Sequence, residues 1–191
     1  MGKPSPLREK TSRPPSRAEA WTHLDPQGKA RMVDVTLKKI TRREAWATGS
    51  IRLRAETLEG IQKNEIKKGD VLNVARVAAI LAAKKTSELI PLCHPLKITE
   101  VEISFSLEKD PPRIRLLSRV QAADRTGVEM EALTAVAAAA LTIYDMCKAI
   151  DREMLITDIG LLKKTGGKSG TYLRTGSIPP EKVGEHLGER P

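Results

Sequence analysis

ITEVEISFSLEKDPPRIRLLSRV, residues 98–120, is the stretch that decides the fold class. Its first half alternates. Val101, Ile103, Phe105 and Leu107 fall on one face and Glu100, Glu102, Ser104 and Ser106 on the other, the two-residue period of a half-buried strand. Asp110-Pro111-Pro112 breaks the run as a turn. From Arg113 to Val120 the alternation resumes at Ile114 and Leu116, then blurs at Leu117. Two alternating runs joined this closely predict an antiparallel hairpin.

Outward from the hairpin the period changes. Upstream, Asp70 to Leu89 places Val71, Val74, Val77, Ala78 and Leu81 at helical spacing, and Pro91 ends the run. Before that, Trp46 to Leu53 alternates as another strand. Downstream, Thr126 to Asp151 reads as a long alanine-rich helix and Met154 to Leu162 as a last strand. The order is β-α-β-β-α-β. It predicts an α+β, ferredoxin-like (split βαβ) domain, an antiparallel sheet with helices packed on one face.

The alanine-rich helix is apolar nearly all round at Val136-Ala137-Ala138-Ala139-Ala140-Leu141, so it is expected to be covered on more than one side. Its own sheet supplies one cover. A second subunit is the simplest source of another, and the short segment near Thr57 to Gln62 is the alternative.

The chain has 191 residues, a length that favours one domain with a real core. Residues 1–20, rich in Pro, Ser and Arg, read as a disordered basic extension, 21–170 as the folded domain, and 171–191, with no apolar period, as a flexible tail. The first twenty residues lack the apolar h-region of a signal peptide, and the longest apolar run, around Val136 to Ile143, is interrupted by Thr142 and followed by Asp145. A cytoplasmic protein without a membrane association is the expectation.

The formal charge is +9. The extension carries five basic and two acidic residues and the tail three of each, which leaves +6 on residues 21–170 and suggests an anionic partner. Single-stranded nucleic acid is disfavoured, because aromatics are 3% of residues and Phe105 is the only phenylalanine. A small, highly phosphorylated ligand fits the charge. Two cysteines, Cys93 and Cys147, and three scattered histidines offer neither a disulfide framework nor a zinc-ligand spacing.

Four segments carry polar groups that a plain scaffold does not need. Lys67-Lys68-Gly69-Asp70 precedes a helix. By itself it reads as a turn with Asp70 as N-cap and solvated lysines; the functional alternative makes Lys68 a phosphate-binding or general-acid group held at a rigid helix start. In Ile90-Pro91-Leu92-Cys93-His94-Pro95-Leu96, two prolines pin the backbone around a histidine. In Thr126-Gly127-Val128-Glu129-Met130-Glu131, Thr126 and Glu129 match a capping box, which leaves Glu131 unexplained. In Asp145-Met146-Cys147-Lys148, Asp145 and Lys148 share a helix face. In partly buried surroundings they would form an acid–base pair with shifted proton affinities, where a surface ion pair would be of small worth. Gly166-Gly167-Lys168-Ser169-Gly170 imitates a phosphate loop but has Leu162 where the Walker pattern needs Gly. It retains the means to hold an anion through glycine amides and Lys164 or Lys168.

Taken together with Met32-Val33-Asp34-Val35 and Leu141-Thr142-Ile143-Tyr144, these segments resemble the cyclic pyranopterin monophosphate synthase family, molybdenum cofactor biosynthesis protein C, from about Arg31 to Gly170. The resemblance implies a lyase that converts 3′,8-cyclo-7,8-dihydro-GTP to cyclic pyranopterin monophosphate and pyrophosphate. It also implies a ferredoxin-like fold and a homo-hexamer, a trimer of dimers with active sites at the dimer interface. It implies no metal and no organic cofactor. Carried over by position, Asp145 and Lys148 are the central acid–base residues and Lys68 a general acid or triphosphate ligand. Leu92, Cys93, His94, Met130 and Glu131 line the substrate pocket, and Glu129, Asp34, Arg43 and Lys164 fall on further site positions. Rival readings are a zinc-dependent cyclohydrolase, for which ligands are too few, a nucleic-acid-binding module, and a non-catalytic assembly subunit. Intact Asp145, Lys148 and Lys68 speak against the last.

From Glu131 to Asp145 is fourteen residues, roughly 21 Å of unbroken helix. If both serve one site, they are expected to come from two subunits. A broken helix, or contacts at opposite ends of the ligand, are the alternatives.

Overall fold

The hairpin forms as the alternation predicts. In the computed structural model, which describes residues 27–175, strand β2 (Ile98–Lys109) pairs antiparallel with β3 (Pro112–Asp124), with Val101 opposite Val120, Ile103 opposite Ser118 and Phe105 opposite Leu116. Strand β1 (Thr41–Arg52) pairs with β3 on one side and with β4 (Leu155–Thr165) on the other, both antiparallel. A two-residue strand, β5 (Tyr172–Leu173), adds to the outer edge of β4. The order β2-β3-β1-β4-β5 is the split-βαβ arrangement with one short strand appended. The sheet and the helices belong to a unit that begins at Asp34, and the described residues before it, 27–33, belong to a separate one. The extension read over residues 1–20 lies outside the described residues, as does most of the tail. Of the tail, Tyr172 and Leu173 lie in the sheet, paired with Lys164 and Lys163.

Helices α1 (Ala55–Gln62), α2 (Val71–Lys84), the single turn α3 (Thr86–Leu89) and α4 (Glu129–Cys147) complete the chain. The run that reads as one helix from Asp70 to Leu89 breaks at Lys85, where the backbone leaves helical geometry and Thr86 returns its hydroxyl to the Ala82 and Ala83 carbonyls. Helix α4 lies on β1, β3 and β4. It can lie close because Gly49 of β1 has no side chain: a Cβ there would stand 2.5 Å from Val136 Cγ1. Ser118 of β3 donates a 2.8 Å hydrogen bond to the Ala132 carbonyl, which ties the start of the helix to the sheet.

Within the chain, the second cover of α4 is α2, not the segment near Thr57 to Gln62. The physical reason is side-chain size. Ala75, Ala79 and Ala83 are buried along one stripe of α2, and methyl-sized residues let two helix backbones approach closely. Leu141 nevertheless remains exposed on α4. By length and composition α4 is apolar enough to cross a membrane, which the run from Val136 to Ile143 did not suggest. Here it serves as a core helix, with Ala132, Ala135, Val136, Ala139, Ala140 and Ile143 buried.

Candidate active site at the two ends of helix α4

The candidate residues gather around the two ends of α4. At its C-terminal end, Asp145 sits between two lysines. Lys68 Nζ is 2.9 Å from one carboxylate oxygen, and Lys148 Nζ is 2.7 Å from the other. Lys68 also donates a 2.8 Å bond to the Asp145 carbonyl, one of the carbonyls that a helix end leaves without an intrahelical partner. Local sequence fixes where Lys68 stands. Gly69 adopts φ +97°, a left-handed conformation that favours glycine, and its N–H closes a turn on the Ile66 carbonyl. Asp70 then caps α2 by accepting the Asn73 N–H at 3.0 Å, as its sequence position predicts.

The cluster is not partly buried in the single chain. The side chains of Lys68, Asp145 and Lys148 are 48%, 57% and 55% exposed. Its proton affinities are shifted by charge and hydrogen bonding, not by burial. Lys148 first, then Lys68, hold the Asp145 carboxyl down to about 2, and Asp145 in turn raises the Lys148 ammonium above its ordinary value. At neutral pH the resting cluster is therefore an ionised carboxylate bearing two ammonium donors. Two basic side chains on one carboxylate leave the cluster with the means to meet an anion.

At the N-terminal end the chemistry differs. Glu131 is 3% exposed, and its Oε2 is buried without a hydrogen-bond partner. Burial pushes the carboxyl up to about 7, with the Glu129 charge adding to the effect. Cys93 lies near enough for the Glu131 charge to act on it, and desolvation first, then that charge, raise the thiol. Leu92, Cys93 and His94 are half-buried on the turn after α3, where the Cys93 N–H bonds the Ile90 carbonyl. Asp34 is exposed. Its carboxylate accepts the Thr36 N–H at 2.8 Å and lies within the field of His94, and both lower its proton affinity, the Thr36 bonding more.

The capping box does not form, because α4 begins at Glu129 with Val128 at the N-cap and no side-chain cap. Thr126 lies outside the helix, and Glu129 folds back over the backbone of Gly127, where a Cβ would stand 1.8 Å from Glu129 Oε2. Met130 is half-buried in the first turn.

Arg43, carried over as a further site position, is buried at the start of β1. It donates to the Asp124 and Arg125 carbonyls at 3.4 and 3.0 Å. Its guanidinium also lies against Gly167, where a Cβ would come within 1.7 Å of Nη1. Arg43 thus fastens the loop before α4 to the glycine turn after β4. That turn brings Ser169 back onto Lys164, whose ammonium is hydrogen-bonded to the Ser169 hydroxyl. Gly166, Gly167 and Gly170 all have positive φ there, and β5 follows where a Walker loop would require a helix.

Helix α4 is continuous from Glu129 to Cys147, so about 21 Å of helix separates Glu131 from Asp145. One chain does not bring them together. Arg125, just before Thr126, is half-buried and its Nε has no partner. Not legible in the sequence is the buried Asp151 just beyond α4. The only signal for Asp151 is a carboxylate closely following an apolar helix. Among the described residues, no group of three or more His, Cys, Asp or Glu is placed to hold a metal ion.

Comparison with known proteins bears on the family. The chain is 60% identical over 153 residues to the cyclic pyranopterin monophosphate synthase of Thermoanaerobacter sp. (strain X514), covering 80% of this chain and 97% of that protein. It is 57% identical to the protein of the same name from Heliobacterium modesticaldum, over 80% of this chain and 96% of that one. With the Clostridium acetobutylicum protein of that name the identity is 52%, over 83% and 99%. The MoaC family model matches residues 32–167, a span that contains the lysine–aspartate cluster, the Cys93–Glu131 end and Arg43, and so the chain belongs to the MoaC family.

Proposed function

We propose that the chain converts 3′,8-cyclo-7,8-dihydro-GTP to cyclic pyranopterin monophosphate and pyrophosphate, an early step of molybdenum cofactor biosynthesis. The observation that carries this reading is the Lys68–Asp145–Lys148 cluster, with its 2.9 and 2.7 Å contacts. Rebuilding a purine into a pterin opens and re-closes rings, and each step moves a proton. Lys148, kept loaded by Asp145, donates the first proton. Once neutral, it accepts the next, so one residue serves successive steps. To close the cyclic phosphate, a sugar hydroxyl attacks the α-phosphorus, the bond to the pyrophosphate oxygen breaks, and the hydroxyl proton passes to a base. Lys68 offsets the charge that develops on the phosphoryl oxygens.

The other end of α4 binds the ring. Glu131 has a buried carboxyl oxygen without a donor, and the N–H edge of a guanine-like ring supplies donors. Leu92, Cys93, His94 and Met130 line the same pocket, with Glu129 and Asp34 at its margin. Lys164 serves the triphosphate, and Arg43 shapes the loop that presents it. Because about 21 Å of helix separates Glu131 from Asp145, each site draws its lysine–aspartate cluster from one subunit and other residues from a partner. The assembly is a homo-hexamer built as a trimer of dimers.

The test is turnover of 3′,8-cyclo-7,8-dihydro-GTP in chelator by wild type beside Lys148→Ala, with cyclic pyranopterin monophosphate and pyrophosphate as the readout. Product from wild type, with a loss of at least ~100-fold in the variant, is the expected result. No product from folded wild type overturns the reading.

A further inference from the structure

We propose that Asp151 is a positioning residue for the Lys68–Asp145–Lys148 cluster, a buried tie that holds the two chain segments carrying those charges in one arrangement. The inference rests on the proposed function for its catalytic consequence, but not for its geometry.

The cluster is assembled from two segments. Asp145 and Lys148 stand on the last turn of α4, and Lys68 stands in the link between α1 and α2. Each group of the cluster is about half exposed, so packing around the charges themselves does not set their spacing. What lies behind them does. Three residues beyond Lys148, Asp151 is 0% exposed and accepts four hydrogen bonds. Its Oδ2 takes the Arg54 N–H at 2.8 Å and the Thr57 hydroxyl at 3.2 Å. Its Oδ1 takes Arg54 Nε at 3.2 Å and the Glu153 N–H at 3.1 Å.

Three of the four bonds come from the start of α1. Arg54 is its N-cap and has no side-chain cap of its own, so Asp151, ninety-seven residues away, supplies the anion that the helix start favours. The same junction holds the end of α4. Arg54 Nη2 bonds the Ile150 carbonyl at 3.1 Å, and the Ile150 and Asp151 N–H groups fold back on the Cys147 carbonyl at 2.9 and 3.0 Å. Helix α1 leads directly into the turn that carries Lys68, and Ile66 of that turn lies over Gly60 of α1. One carboxylate therefore fixes the end of α4 against the helix that leads into the turn carrying Lys68. A surface ion pair of exposed side chains gains little and is readily lost. A cluster whose backbones are clamped from behind keeps its geometry.

The experiment is Asp151→Asn in the full chain, which keeps the shape but presents an N–H₂ where an oxygen accepted donors. It has two readouts. The first is steady-state turnover, resolved into kcat and KM. The second needs no turnover: the Lys148 amine is titrated by NMR after isotopic reductive methylation of the lysines. Asp145 first, then Tyr144, raise it, and Lys68 bears on Asp145. Displacement of a reacting group by ~1 Å costs on the order of 100-fold. The expected result is a kcat lower by ~10- to 100-fold, KM changed by less than ~3-fold, and a Lys148 titration moved down toward that of an ordinary lysine.

A folded variant whose Lys148 titration matches wild type overturns the proposal, whatever happens to kcat. If Asp151→Asn does not fold, Thr57→Val and Arg54→Lys each remove part of the tie, and the same two readouts decide. If wild type itself does not turn over the substrate, the proposed function fails and the titration alone judges the tie.

Discussion

Glu131→Gln measures what a buried, unpartnered carboxyl costs the fold. In the native chain this carboxyl is 3% exposed, one oxygen has no partner, and its proton is held until about pH 7, against an ordinary value of 4.5. The unfolded chain releases the same proton near 4.5. Between these values the native state binds more protons than the unfolded one, so each rise of one pH unit removes ~1.4 kcal/mol of stability. The contribution is fully present below pH 4.5 and lost by about pH 7, about 3 kcal/mol in all. Glutamine does not titrate. It leaves an amide group short of a partner, at a cost of ~1–3 kcal/mol that is the same at every pH. Urea unfolding of both proteins, at one protein concentration and at intervals from pH 4 to 8.5, isolates the slope from the offset. Relative to the variant, wild type is expected to lose about 3 kcal/mol between pH 4.5 and 7 and to stay level above. Parallel curves across that range would show that Glu131 ionises as freely in the native state as in the unfolded one, and would refute the buried, unpartnered carboxyl.

Two further outcomes follow from the same geometry. If each site is shared between subunits as proposed, Glu131→Ala and Lys148→Ala, each inactive alone, should regain part of wild-type turnover when co-refolded. No recovery in mixed oligomers would refute the shared site. Gly167→Ala places a Cβ 1.7 Å from Arg43 Nη1 at φ +73°. It should cost ~1–3 kcal/mol in thermal or urea unfolding and raise KM several-fold through the Lys164 loop, whereas Gly28→Ala, at φ +78° with open space around its Cβ, carries only the backbone cost.

Much of the fold was legible in the sequence because strand and helix periods are local. The alternation from Ile98 to Val120 was sufficient to place β2 and β3, and Asp70 announced the start of α2. The boundaries were less legible. The helix expected from Thr126 begins at Glu129, because Val128 takes the N-cap position and Glu129 folds back over Gly127. The helix expected to continue to Asp151 ends at Cys147, and Asp151 instead caps α1.

The residues that form the candidate site were also legible, since Lys68, Asp145, Lys148 and Glu131 stand where regular structure has no need of them. Their company was not. That Asp145 has a second lysine as well as Lys148 depends on where the α1–α2 link returns, and the distance of seventy-seven residues between Lys68 and Asp145 leaves no local pattern. That α4 is covered by α2 depends on alanines whose methyl groups match only once two helices are laid side by side. That Arg43 grips carbonyls instead of facing solvent, and that the exposed cluster is tuned by charge where Glu131 is tuned by burial, are facts of three-dimensional surroundings. Periodicity in one chain dictates which segments become strands and helices. Proton affinity and hydrogen-bond partnership depend on distance through space, and only the tertiary structure sets that distance.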